Sequence, residues 1–134
     1  MIRYNQAFKE SVKGTLRARF RLDDQGRPVA GSQDGTKFYF IELSLDSPDA
    51  DKVRQVTYLL DEATFWEPER ESTDAKHAFG EEITSYGDFL VRVEVEMSTG
   101  RFVQQALLSE MLEAGHEADS NSAIREAISE IRNN

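Results

Sequence analysis

Two short stretches of this 134-residue chain mix turn formers with large aromatics: "DEATFWEP" at 61–68 and "ITSYGDF" at 83–89. A turn uses Gly87 and Asp88, but it has no need of Phe65, Trp66, Tyr86 or Phe89. Rings brought together from two loops either plug the end of a core or wall a slot for a flat group. Other chemistry has little to work with. The chain has no cysteine, which removes disulfides, thiolate nucleophiles and cysteine zinc sites together. Its 2 histidines, His77 and His116, lie far apart and not at the helical-turn spacing of metal ligands. The acidic run "DSPDAD" lacks the alternating oxygen ligands, central glycine and closing glutamate of a calcium loop. Glu81 and Glu82 are adjacent, so on a strand they face opposite sides and cannot share a substrate atom. There is neither a phosphate-cradling glycine loop nor a serine elbow. These residues predict no enzyme, no metal and no cofactor.

Composition sets the frame for the two loops. A chain with 39% hydrophobic and 31% charged residues is an ordinary globular protein, long enough for one core. Its net charge of −9 repels phosphate backbones, which argues against nucleic acid as a partner. No apolar segment follows the start "MIRYNQAFKESVKG", and no run reaches membrane-spanning length. The expectation is a cytoplasmic protein with no membrane partner.

Strands come first along the chain. "TLRARFRLD" alternates, with Leu16, Ala18, Phe20 and Leu22 on one face and Arg17, Arg19 and Arg21 on the other, a solvated row. Turn formers fill "DDQGRPVAGSQDGT". "KFYFIELSLD" and "VRQVTYLLD" are further strands, and "SPDAD" separates them. "DFLVRVEVEM" alternates most clearly, with Phe89, Val91, Val93, Val95 and Met97 facing in. The long connection 61–82 holds a weaker strand around "AFGEEI". Short alternating strands between turns predict a mainly β, antiparallel sandwich.

After "STGR" the period changes. Val103, Leu107 and Met111, with Leu108 and Leu112, fit one helix face that Gly115 stops. A second helix has Asn121 or Ser122 as its cap and Ile124, Ile128 and Ile131 as its stripe. The predicted division is a sandwich over 1–98 and a helical hairpin over 99–134. The stripes must bury, here on the body of the same chain, with a homodimer through the helices as the alternative.

The run from about Phe38 to Met97 resembles the YEATS domain, whose prokaryotic branch is the natural comparison. The family pattern is leucine–histidine–any–serine or threonine–phenylalanine, then glycine–aromatic–small–small–phenylalanine, then an alternating strand. Here "VRQVTYLLDEATFWEP", "HAFGEEITSYGDF" and "LVRVEVEM" follow in that order. Thr64 and Phe65 match the hydroxyl and aromatic of the first loop, and Tyr86, Gly87 and Phe89 match the second. The family histidine falls at Asp61 or Glu62, with one extra loop residue, and Ser85 replaces the first glycine.

The resemblance implies an immunoglobulin-like sandwich that reads acylated lysine without catalysis. It implies Phe65 and Tyr86 as the walls of a slot, with Thr64 giving a hydroxyl and the N–H of Tyr86 or Gly87 a donor. Trp66 would extend the wall, and Ser85 stands beside the site. Partners would be an acylated protein or peptide. The alternative is a protein-interaction or assembly module with Tyr86 and Phe89 as a core plug, Trp66 as a surface patch, and no small ligand.

Overall fold

Alternation makes Thr15–Phe20 strand β1: Leu16, Ala18 and Phe20 are buried and the arginines between them face solvent. The computed structural model describes residues 15–47 and 49–134. Residues 1–14 of the expected sandwich, and Pro48 in the break after the second long strand, lie outside the described residues. After β1 come β2 (Ala30–Gln33), β3 (Thr36–Asp46), β4 (Val53–Leu59), β5 (Glu69–Ser72), β6 (Glu81–Ser85), β7 (Leu90–Met97) and β8 (Gly100–Leu107). Two helices close the chain, α1 (Leu108–Gly115) and α2 (Ser122–Arg132).

Every strand pairing is antiparallel. In one sheet β1 and β2 pair with successive parts of one edge of β3, and β6 takes the other edge. The second sheet runs β5-β4-β7-β8. Asp34 and Gly35 join β2 to β3 with φ of 52° and 81°, the left-handed pair that a two-residue hairpin needs. Between the sheets lie Leu16, Ala18, Phe20, Ile41 and Leu43 from one side and Val56, Tyr58, Val91, Val93 and Val95 from the other. The Tyr58 hydroxyl donates to the Phe79 carbonyl at 2.7 Å, and burial pushes its pKa above the ordinary phenol value. This is the mainly β sandwich that alternation predicts.

One expected element is different. The helix read from Val103 starts only at Leu108, and Gly100–Leu107 is a strand that extends the second sheet past the expected division at 98/99. Ser98 and Thr99 make a two-residue turn between the paired Met97 and Gly100, so β7 folds straight back on itself. On β8 the inward positions include Gln104, opposite the fully buried Val93. Its Oε1 is buried and has no hydrogen-bond partner among the described residues. An orphaned buried acceptor costs about 1–3 kcal/mol. Gln104→Met keeps the shape and removes that acceptor, so its urea midpoint should rise by the equivalent of about 1 kcal/mol. A lower midpoint would contradict this reading of Gln104.

The helices close an open edge of the sandwich. Even-numbered residues of β1 turn their backbone groups away from β3. There the Phe20 N–H donates to His116 Nε2 at 2.9 Å, so an imidazole takes the place of a neighbouring strand. The end of α1 approaches β1 so closely that a Cβ on Gly115 would collide with the Ala18 carbonyl oxygen. Arg19 binds the Gly115 carbonyl and reaches Asp119 at 2.6 Å, which makes one of the solvated arginines a clasp for α1. Asn121 caps α2 by accepting from the Ile124 N–H at 2.8 Å, and its amide donates to the Gly26 carbonyl at 2.9 Å. Leu108, Met111, Leu112, Ile124, Ile128 and Ile131 join the sandwich core in one cluster. The stripe of α2 and the Leu108, Met111 and Leu112 face of α1 thus bury within the same chain, while Val103 and Leu107 of the expected first stripe are half-buried on β8.

Candidate functional site

The two aromatic loops lie at the same end of the sandwich. Loop 61–68 is closed at its base by the Leu60 N–H, which donates to the Pro68 carbonyl at 2.7 Å. Its tip is a tight turn, with the N–H groups of Thr64 and Phe65 donating to the Asp61 carbonyl at 3.1 and 3.0 Å. The Thr64 hydroxyl donates to the Asp61 carboxylate. Of the two residues matched to the family histidine, Asp61 therefore holds the Thr64 side chain, and Glu62 is exposed. Phe65 is half-buried, its ring edge-on to Phe89 at 5.1 Å between centroids. Trp66 is 96% exposed.

Loop 85–89 is held at almost every residue. Ser85 is buried and its hydroxyl donates to the Gly87 carbonyl at 2.8 Å. Gly87 is buried against the last residue of the chain, where an added Cβ would lie 2.9 Å from the Asn134 carbonyl oxygen. Asp88 accepts from the Ser109 N–H at 2.9 Å and from its hydroxyl at 2.6 Å. The Phe89 carbonyl accepts from the Leu108 N–H at 2.9 Å. Tyr86 alone faces outward, 47% exposed and without a hydrogen bond among the described residues.

The Phe65–Phe89 contact therefore ties the first loop to the base of the second. The ring partner of Phe65 is Phe89, while Tyr86 borders a separate groove of about 330 Å³ with Lys37, Tyr39, Glu130 and Asn134. In that groove the Tyr39 hydroxyl donates to Glu130 at 2.8 Å, and burial raises its pKa, so it stays a neutral donor. Lys37 pairs with Glu130 at 3.3 Å and sits 5.0 Å above the Tyr39 ring. The groove therefore offers an aromatic wall and a neutralised ion pair.

The sequence singles out Thr64, Phe65, Trp66, Ser85, Tyr86 and Gly87 as candidates and gives no sign of what supports them. Asp88 and Ser109 stand 21 residues apart, and Gly87 meets Asn134 across a still longer span. With the helix starting at Leu108, Leu107 offers no capping side chain, so the cap comes from elsewhere. The histidines serve other ends. His77 is exposed beside Asp74 at 2.7 Å, and His116 is buried at the helix turn. Among the described residues no three His, Asp or Glu side chains are arranged to hold a metal ion. No described helix is long and apolar enough to cross a membrane.

Comparison with known proteins puts this arrangement in context. The family model of the prokaryotic YEATS domain matches residues 39–104, which include both aromatic loops. No curated protein matches the sequence. Among solved structures the chain is similar to the Yaf9 YEATS domain recognising an H3K122suc peptide, with a TM-score of 0.52 and 13% identity. That likeness covers 87% of this chain and 94% of the other, and at such identity it speaks for the fold.

Proposed function

We propose that this chain, which carries a prokaryotic YEATS domain over residues 39–104, is a non-catalytic recognition module for an acylated lysine or a similarly flat, uncharged group. The observation that carries the reading is the pairing of two aromatic loops at one sandwich end, with Tyr86 and Trp66 left exposed. Acylation removes the lysine charge and leaves a planar amide with one donor, one acceptor and a small apolar tail. In this reading Tyr86 gives the exposed ring face for that amide from its own groove, and Phe65, packed edge-on to Phe89, gives the wall on the first loop, each ring contact contributing on the order of 1 kcal/mol. The Thr64 hydroxyl gives a polar contact, the N–H of Tyr86 or Gly87 a donor, and Trp66 closes the end. Ser85 acts from behind, through its bond to the Gly87 carbonyl. An ammonium would leave water with only ring faces in return, so unmodified lysine is rejected. The ligand is carried by a cytoplasmic protein or peptide.

A second reading has its own support. Tyr86, expected in the plug, is 47% exposed, but Phe65 and Phe89 pack edge to face against the core, and Ser85 and Gly87 are buried, as in a plug that closes the sandwich. The module would then dock a protein, or a second copy through its helices, with no small ligand. Calorimetry with acetyl-, crotonyl- and unmodified lysine peptides separates the two. The recognition reading predicts a Kd of roughly 10 μM to 1 mM for the acylated peptides. Tyr86→Ala should remove most of that affinity and Tyr86→Phe should keep it. Thr64→Val should cost on the order of 1 kcal/mol, the worth of one polar contact. Equal binding of unmodified lysine, or full affinity in Tyr86→Ala, would favour the plug.

A further inference from the structure

We propose that the C-terminal helices are part of the recognition site, with Asp88 as the positioning residue that fixes the Tyr86 loop by capping α1. The inference rests on the recognition reading above for its ligand, and on geometry alone for its mechanics.

The first-turn N–H groups of a helix need partners, and a side-chain oxygen at the N-cap is the usual source. Leu107 has none to give. Asp88 reaches in from the loop, one carboxylate oxygen on the Ser109 N–H at 2.9 Å and the other on the Ser109 hydroxyl at 2.6 Å. Its negative charge also lies at the end of the helix that favours an anion. Ser109 is fully buried, so its N–H and hydroxyl would be left without a partner if Asp88 were removed. The neighbouring bond from the Leu108 N–H to the Phe89 carbonyl, 2.9 Å long, makes a second tie between loop and helix.

Between Tyr86 and Asp88 the chain leans on the segment that follows α2. Gly87 lies against the backbone of Asn134, closely enough that a Cβ would collide at 2.9 Å. The Asn134 amide in turn donates to the Glu130 carbonyl at 2.6 Å in the last turn of that helix. Ser85, Gly87, Asp88 and Phe89 are thus anchored, and Tyr86 is the one loop residue that faces solvent with no bond of its own. The backbone on both sides of its ring is held. Releasing Asp88 frees the turn, and the ordering of a mobile aromatic side chain is then charged against binding. A shift of α1 would act on the site by the same route without any helix side chain entering the slot.

The test compares Asp88→Ala and Ser109→Ala with Asp23→Ala. The last variant removes the bonds that the Asp23 carboxylate accepts from the N–H groups of Gln25 and Arg27, none of them in the loop or in either helix. Two readouts are taken on the full chain: backbone amide exchange at Ser85–Gly87, and affinity for an acetyl-lysine peptide. Asp88→Ala should speed exchange at Tyr86 and Gly87 and weaken the peptide about three- to tenfold. Ser109→Ala should do the same to a smaller degree, and serves if Asp88→Ala does not fold. Asp23→Ala should leave both readouts unchanged. Unaltered exchange at Tyr86 in the two loop variants, or an equal change in Asp23→Ala, would overturn the proposal. If the wild-type chain binds no peptide, the recognition reading fails, while the exchange comparison still decides whether Asp88 sets the loop.

Discussion

Removal of residues 108–134 should leave a chain that aggregates and shows no cooperative unfolding. The six large side chains Leu108, Met111, Leu112, Ile124, Ile128 and Ile131 are buried in the core cluster. Burying each contributes about 1.5–3 kcal/mol. Their sum rivals the whole stability of a typical domain, about 5–15 kcal/mol. The cut would also strip His116 from the Phe20 N–H and uncover the free edge of β1, a template for pairing with another chain. Size-exclusion chromatography and a thermal melt check this. A monomeric fragment that melts cooperatively at the full-length temperature would show the helices to be an appendage.

His116→Leu should destabilise the fold by about 1–3 kcal/mol, the cost of leaving the buried Phe20 N–H without an acceptor. The same residue gives the protein an acid-sensitive step. The ring is stacked on Phe20 at 5.5 Å, accepts at Nε2, and donates from Nδ1 to Asp119 at 3.0 Å, so the structure uses the neutral form. Burial pushes the His116 pKa below its ordinary value, and the Asp119 bond and the Arg19 charge act in opposite senses on it. Below about pH 6.5 the unfolded chain therefore binds a proton that the folded chain refuses. Stability from this source is complete above that pH and is lost as pH falls. Asp119, held below the usual carboxylate range chiefly by Arg19, adds a separate loss at lower pH, below the ordinary carboxylate value. Denaturation midpoints at pH 7.5 and 5.5 should differ in the wild type and converge in His116→Leu. Equal midpoints in the wild type would contradict the neutral, locked ring.

The parts of the fold that were legible are those whose partners are local or whose pattern is pure. β7 announces itself because charged and apolar residues alternate without a break from Val91 to Met97. α2 does so through Asn121 and the Ile124–Ile128–Ile131 stripe. β8 was misread because half-buried residues lie on both its faces and Gln104 sits at an inward position, which erases the period of two. The spacing from Val103 to Leu107 and Met111 then fits a helix equally well. β2 and β5, "AGSQ" and "ERES", are short polar strands with no apolar face to read.

At the site the aromatic residues stood out by composition, and their adjacency followed from loops clustering at sandwich ends. The supports did not stand out. Asp88 finds Ser109 and His116 finds Phe20 only once the chain has folded, the latter pair across 96 residues. Such contacts leave no periodic trace in the sequence.

The most direct test of the central claim is a nuclear magnetic resonance titration of the full chain with acetyl-, crotonyl- and unmodified lysine peptides, followed at the backbone amides of residues 63–66 and 85–88. Recognition of an acyl-lysine-like group between the aromatic loops predicts saturable shifts at both sets of amides with the acylated peptides and none with unmodified lysine. No shift with any peptide, or equal shifts with unmodified lysine, would contradict it and leave the interaction module as the function.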